Sequence, residues 1–360
     1  MNKELYSFDL LEKFCNVFGP SGCEEQMERE ILSTVEGCYD ELLENRTLGV
    51  IALIRGNNRT GRCNTKKLML SCHTDEVGFM IKSISEDGTL KVTPMGSADT
   101  RVMACRRVMV GDGERLCRGV FAVKPIHLLK ADERDSAIPL DELYIDIGAD
   151  SKEEAEKLVK VGDFATYESD YIRFGEDMRM IKAKAIDDRA GCAIMCDLMR
   201  KLYPIRHTIP FDMYFAFTRR EELGISGARG ATHLIDPDHA LIFESTAVSD
   251  ICGTAAHTVV AKQGDGPAIS LLDRATIYDG EFTRFILDTA EKKDIPCQIK
   301  QYVSGGNDAG HIHKSRAGVK CAVLSIPSRY IHTPSNVIRA SDFENTYRLG
   351  LATVEALCEN

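Results

Sequence analysis

Apolar positions along the chain fall into short runs, and the texture between the runs changes twice. The opening stretch MNKELYSFDLLEKF carries acidic residues within its apolar pattern and lacks a small-residue cleavage site, which predicts an amphipathic helix rather than a signal peptide. From Lys66, the run KLMLSC predicts a short strand ending at His73. Between there and about Asp170, segments such as GFMIKSI, TLKVTPM, RVMV and GVFAV are separated by Asp-Gly or Gly-rich turns (EDGT, GDGE), the pattern of a small β-barrel or sandwich. Ser151 followed by Glu154 in SKEEAEKL forms a capping box and marks one helix inside this region.

Beyond Asp170 the rhythm becomes strand, loop, helix. RMIKAKAI precedes DDRAGCAIMCDLMRKL, FDMYFAFT precedes RREELGISGARGAT, ALIFE runs into a loop, and VKCAVLSIP runs into SRYIHTP. Such alternation predicts an α/β sheet covered by helices on both faces. The expected organisation is an α/β unit built from residues 1–73 and 172–360, with a β-rich unit, residues 74–171, inserted into it.

Composition narrows the setting. At 360 residues and 44% hydrophobic, the chain can bury one large core or two moderate ones. No apolar run approaches the roughly 20 residues needed to span a bilayer, so no membrane association is expected. Thirteen cysteines, an odd number with no CxxC pair and with Cys72, Cys105 and Cys321 inside apolar runs, suit a reducing cytoplasm better than an oxidising compartment. A net charge of -10 argues against nucleic acid as a partner.

The candidate chemistry is positional. Apolar runs end in His73 and Asp75, in Asp187 and Asp188, in Glu221 and Glu222, in Glu244, and near His332. Taken singly, each has an ordinary explanation: DDR and the paired glutamates suit helix N-termini, and a lone histidine is commonly packed or exposed. In open α/β sheets, however, the carboxyl ends of the strands border one crevice, where these groups would converge. Such a cluster calls for divalent cations. Imidazole and carboxylate without thiolate fit zinc, cobalt or manganese, and five ligands suit two ions sharing a bridging carboxylate. Asp75, two residues after His73 on an extended segment, can accept the second ring N–H of an imidazole. Adjacent Glu221 and Glu222 point apart, so one can bind metal while the other serves as general base. His311 and His313 in HIH, Cys192 and Cys196 on a predicted helix, and the SGARG segment are weaker patterns; the cysteines read as core.

The motifs HTDEVGFM, KPIHLL, LYIDIGADSKEEA, VGDFATYE, AIDDRAGCA, TRREELGISGA, GGNDAG and SIPSRYIHTP together resemble the glutamyl-aminopeptidase and tetrahedral-aminopeptidase family of dinuclear metallopeptidases, some of whose relatives carry endoglucanase labels. The resemblance spans nearly the whole chain. It implies that His73, Asp187, Glu222, Glu244 and His332 bind two metals, zinc or cobalt, with Asp187 bridging. It further implies Glu221 as the catalytic base, Asp75 as the acid orienting His73, and peptides with a free amino end as substrates. The inserted β-unit would mediate dimerisation, and dimers would join into a hollow tetrahedral particle. The chain departs from the family pattern at Glu244, where Asp is usual, at Arg219 and Arg220, where smaller or uncharged residues are common, and at Asn307, where Thr is usual; whether the two arginines shape specificity is open in the sequence. Other readings are a deacylase acting on a different amide, a glucanase, which would leave both histidines without a purpose, and an inactive scaffold.

Overall fold

A computed structural model of the protein describes residues 8–57, 66–130, 136–224 and 226–359. Helices α1 (Phe8–Asn16) and α2 (Glu25–Thr34) lead into strands β1 (Glu41–Asn45), β2 (Gly49–Ile54) and β3 (Lys67–His73). The predicted N-terminal helix is α1; residues 1–7 of that stretch lie outside the described residues. Next come β4 (Gly78–Ile84), β5 (Leu90–Met95), β6 (Arg107–Gly111), β7 (Leu116–Ala122), β8 (Tyr144–Asp146), α3 (Lys152–Ala155) and β9 (Phe164–Tyr167). The chain continues through β10 (Ile172–Phe174), β11 (Met180–Ala183), α4 (Ile186–Leu202), β12 (Asp212–Thr218), α5 (Ser226–Ile235) and β13 (His239–Ala247). It ends with β14 (Ala268–Ile269), α6 (Gly280–Lys292), β15 (Gln298–Ile299), α7 (Ala309–Ile312), β16 (Lys320–Arg329), β17 (Asn336–Arg339) and α8 (Ala340–Leu357). No described helix is long and apolar enough to cross a membrane.

Alternation along four strands builds the two faces of the main sheet. Leu68, Leu70 and Cys72 of β3 face one core with Met213, Phe215 and Phe217 of β12, Leu241 and Phe243 of β13, and Leu324 of β16. That core is closed by residues such as Ala190 and Leu198 of α4 and Phe343 of α8. The intervening Met69, Ala216, Ile242 and Val323 face a second core, against Ala228 and Ala231 of α5 and Ile312 of α7. A period of two with both phases apolar is the signature of a strand buried on both faces. The predicted sheet, with helices on both sides, is present.

Strand order in this sheet runs β1-β2-β12-β3-β13-β16-β17-β11-β10. β12, β3, β13 and β16 are parallel neighbours, so their carboxyl ends share one edge. β11 joins them indirectly: β17 is antiparallel to both β16 and β11, which restores the direction and brings the end of β11 to the same edge.

The segments between β3 and β10 form a closed barrel, β4-β5-β8-β7-β6-β9. Closure leaves no free strand edge, and its core centres on Phe79, whose ring packs edge-on against Phe121 and Tyr167 at 5.0 and 5.6 Å. Ser151 caps α3 by accepting from the Glu154 amide at 3.3 Å, while the Glu154 carboxylate reaches the amide of Asp150 rather than that of Ser151. One half of the capping box is therefore shifted by a residue.

A buried ion pair joins barrel to sheet. Glu76 accepts Lys184 Nζ at 2.5 Å and Thr166 Oγ1, from β9, at 2.9 Å; Arg189 of α4 stands 3.6 Å away. Burial pulls the pKa of Lys184 down, and the charge of Glu76 opposes that pull. Replacing Lys184 by Met leaves a buried carboxylate without its closest cation, and unfolding in urea is expected to show a loss of about 3–5 kcal/mol. The pair replacement Glu76→Gln with Lys184→Met is expected to recover much of it; an unchanged urea midpoint for Lys184→Met would show that the pair does not hold the junction.

Candidate metal centre and substrate pocket

The strand ends deliver the ionisable groups. β3 ends at His73, whose register partner on β12 is Thr218. The amide of Thr74 donates to the Thr218 carbonyl at 2.8 Å, so the chain leaving β12 runs beside Asp75. There the fully buried Asp75 carboxylate accepts the amides of Glu221 and Glu222 at 3.0 and 3.2 Å and Ser21 Oγ at 2.5 Å. Asp75 thereby pins the turn that carries both glutamates. His73 Nδ1 lies 3.1 Å from the Asp75 carbonyl oxygen and 3.4 Å from its carboxylate. An Nδ1–H donating to that carbonyl leaves the Nε2 lone pair facing the site, so backbone as well as carboxylate orients the ring.

Nε2 of His73 lies 3.1 Å from Asp187 Oδ1 and 3.6 Å from Glu244 Oε1. The other Asp187 oxygen lies 3.2 Å from Nε2 of His332, which is also 3.3 Å from Glu222 Oε1. One carboxylate thus stands between two imidazoles. Three overlapping groups, His73 with Asp188 and Glu244, His73 with Glu221 and Glu222, and Asp187 with Glu222 and His332, have candidate ligand atoms within 4.8 Å of one another. Asp187 and Asp188 leave the helical conformation at the head of α4, and His332 takes a left-handed φ of 60°. The sheet edge brings together His73, Asp75, Asp187, Glu221, Glu222, Glu244 and His332.

Two further acids belong here: Asp188, beside the expected ligand Asp187, and Asp308, which the sequence does not single out. Asp188 accepts the Gly191 amide at 3.0 Å through one oxygen, while the other is buried without a hydrogen-bond partner. A Cβ on Gly191 would come within 2.4 Å of that oxygen, so the close approach requires glycine. Asp308, in GGNDAG, accepts Thr218 Oγ1 at 2.7 Å and buries its second oxygen unpartnered. Adjacency to Asp187 and position in a glycine-rich loop were the available signals.

Elsewhere the structure alters expectations. Glu244 does not end its strand: β13 continues to Ala247, with Ser245 and Thr246 still paired to β16. Arg219 does not face substrate; it is 3% exposed and its guanidinium is taken by Glu25 at 2.9 Å and by Glu28, both on α2. His311 and His313 join no metal-capable group among the described residues. Cys192 and Cys196 are core, as read, although Cys192 Sγ also donates to the His73 carbonyl.

The electrostatics test whether cations fit. Seven carboxyl groups (Asp75, Asp187, Asp188, Glu221, Glu222, Glu244, Asp308) surround two imidazoles. Burial, reinforced by Asp187, pushes Glu244 up to about 8; burial likewise raises Glu222, Glu221 and Asp188. Burial opposes charge on His332 too, yet Asp187 and Glu222 lift it to about 11, and Glu244 and Asp187 hold His73 well above its ordinary range. The cluster is short of positive charge, and it buries oxygens of Asp188, Glu222 and Asp308 without hydrogen-bond partners. Divalent cations fit this donor set. A cavity of about 370 Å³ opens onto it, lined also by Asp273, Lys300 and the Ser304–Asn307 loop.

Parallel strands whose carboxyl ends converge acids and imidazoles on a cleft define an α/β metallohydrolase-type site. Residues 52–349 match the M42 glutamyl aminopeptidase family, and the chain belongs to that family; it is a hydrolase of the aminopeptidase class. The chain is 34% identical to a TET aminopeptidase from a marine-sediment Thaumarchaeota archaeon, with a TM-score of 0.89 covering 97% of this chain and 98% of that one. It is 29% identical to the TET1 peptidase of Pyrococcus horikoshii, described as assembling into a tetrahedron or a large octahedral shell, with a TM-score of 0.83 over 96% and 98%. The lysyl aminopeptidase of Pyrococcus furiosus is 29% identical over 359 residues, 98% of each chain.

Zinc, cobalt or manganese at one hundred times its Kd is expected to stabilise the fold by about 2.7 kcal/mol, seen as a rise in Tm that EDTA reverses. No shift with any of the three ions would remove the case for a metal centre.

Proposed function

We propose that the protein removes the first residue of peptides with a free amino end, using two divalent metals, zinc or cobalt, held by His73, Asp187, Glu222, Glu244 and His332. The observation that carries this reading is the Asp187 carboxylate, with one oxygen toward His73 and the other toward His332. Metals bound there would supply Lewis acidity to polarise the scissile carbonyl and acidify water.

The side chains supply the rest of the chemistry. Glu221 borders the cavity without being drawn into the Asp187 bridge, and burial raises its pKa well above the ordinary range, with the Glu244 charge adding to the rise. It is the general base: it takes a proton from the attacking water and passes one to the leaving amine. Asp75 holds the Glu221 and Glu222 amides and steadies His73. The acidic end of the cavity receives the substrate's ammonium, which restricts cleavage to the amino end.

Residues 74–171 act as an inserted unit through which copies associate, as dimers that join into a tetrahedral particle. Exposed apolar side chains on its surface, Ile126 and Leu128, and the assembly of the Pyrococcus horikoshii relative support this. The described cysteines are all free thiols, which suits a reducing cytoplasm.

Glu221→Gln is expected to retain metal, measured by elemental analysis, while kcat/KM on aminoacyl anilides falls by about 10²–10⁴. Near-normal turnover would assign the base elsewhere. On the unmodified protein, cleavage must vanish with EDTA and with an acetylated amino end; preference for the acetylated substrate would favour a deacylase.

A further inference from the structure

The SGARG and HIHKSR segments take no part in the acid cluster, yet the fold brings them together. α5 and α7 pack side by side, with Ala228, Ala231 and Ile312 in the second core. Arg229 and His233, four positions apart, share one face of α5. His311 lies on α7, and Lys314, Ser315 and Arg316 follow it. A third wall is the turn between β1 and β2: Leu48 sits directly on Gly230, where an added Cβ would come within 2.1 Å of its Cδ2. These elements border a cavity of about 700 Å³ that shares no lining residue with the cavity at the acid cluster.

Its lining is one-sided in charge. Arg229, His233, His311, Lys314 and Arg316 contribute to it, and among the described residues that line it there is no Asp, Glu, Phe or Tyr. The chain as a whole carries -10, so overall composition does not account for such a surface. Burial pulls the pKa of His311 down, and the charges of Arg229, Lys314 and His313 pull it further. The Arg229 guanidinium and the His311 ring have no hydrogen-bond or ion-pair partner among the described residues. Lys314 Nζ spends one of its three N–H bonds on the Ala275 carbonyl, at 3.1 Å. Arg316 is fixed in place, its Nε and Nη2 donating to the His233 carbonyl at 3.0 and 2.5 Å. Its pair with Asp236, 3.3 Å apart, is exposed and neutralises little.

Cations gathered on a concave wall without acids repel one another, and an anion relieves that repulsion while taking up the spare N–H groups. Thr47 and Ser315 add hydroxyl donors. Positive charge spread over two helices and a turn suits more than one phosphate, whereas a wall without Phe or Tyr offers a nucleobase nothing to stack on. We propose that this cavity is a binding site for the di- or triphosphate group of a small molecule. The site is independent of the aminopeptidase reading above.

The test is calorimetric titration of sodium pyrophosphate, ADP, orthophosphate and sulfate, at about 0.15 M ionic strength. It is run on the protein as isolated and again after EDTA treatment and dialysis. Pyrophosphate is expected to bind both forms, at least about tenfold more tightly than orthophosphate or sulfate. Arg229→Gln is expected to weaken it about 10- to 100-fold, and Arg229→Glu with Lys314→Glu to abolish it. Lys157→Glu, a reversal of an exposed lysine on the barrel unit, is expected to leave it unchanged. Arg229 and Lys314 are exposed, and unchanged urea midpoints check that the variants fold. Tighter binding of pyrophosphate than of ADP assigns the group to free oligophosphates, and the reverse to nucleotides; either supports the site. Binding that EDTA treatment abolishes places the anion on metal at the acid cluster, and binding that survives the double reversal places it elsewhere; each overturns the proposal. Absence of binding does so too, including the case in which the double reversal changes the size of the assembly in sedimentation and the face joins copies of the chain instead.

Discussion

The fold gathers more negative charge at one sheet edge than its own cations neutralise, and much of the surrounding architecture serves to hold that charge in place. Isolated buried carboxylates would escape by protonation, and Glu244, pushed to about 8, shows the pressure. What keeps the groups together is backbone on or close to the sheet edge. His73 closes β3, Glu244 sits within β13, and the turn carrying Glu221 and Glu222 hangs from Asp75. Holding such a cluster costs folding energy, so any cation that binds it would add to stability.

The same principle explains the two structural charge clusters nearby. Lys184 and Glu76 tie the barrel to the sheet beside Asp75, and Arg219 locks the segment after β12 to α2 through Glu25 and Glu28. Both pairs flank residues of the cluster in sequence, so they fix the backbone on which the chemistry depends. Arg219 sits two residues before Glu221, and its near-complete burial means that it can act on substrate only through that backbone.

Much of this could be read from sequence because parallel strands buried on both faces are conspicuous, and an ionisable residue terminating an apolar run is hard to explain as packing. KLMLSC leading to His73 and FDMYFAFT leading to Glu221 are of that kind. The barrel, too, was marked by Asp-Gly turns at close intervals. Less accessible were features set by tertiary contact. Nothing local distinguishes Asp188, whose inward oxygen depends on Gly191, from an acid at a helix N-terminus. Asp308 is in the site because Thr218, ninety positions earlier, donates to it. Arg219 looked available to substrate because its acidic partners lie on α2, almost two hundred positions away.

The groups that line the cavity differ in how tightly the fold constrains them. His73 and Glu244 stand on strands buried on both faces, where each face carries side chains fitted to its own core and a slip of one residue would exchange them; Asp187, Glu221, Glu222 and His332 follow the ends of β11, β12 and β16. Lys300, Ser304 and Asn307 stand on a loop beyond β15, a two-residue strand off the main path of the sheet. Their tie to the second core runs through Asn307, which is buried, donates to Tyr278 Oη at 2.9 Å and accepts the amide of Ala309 at the head of α7.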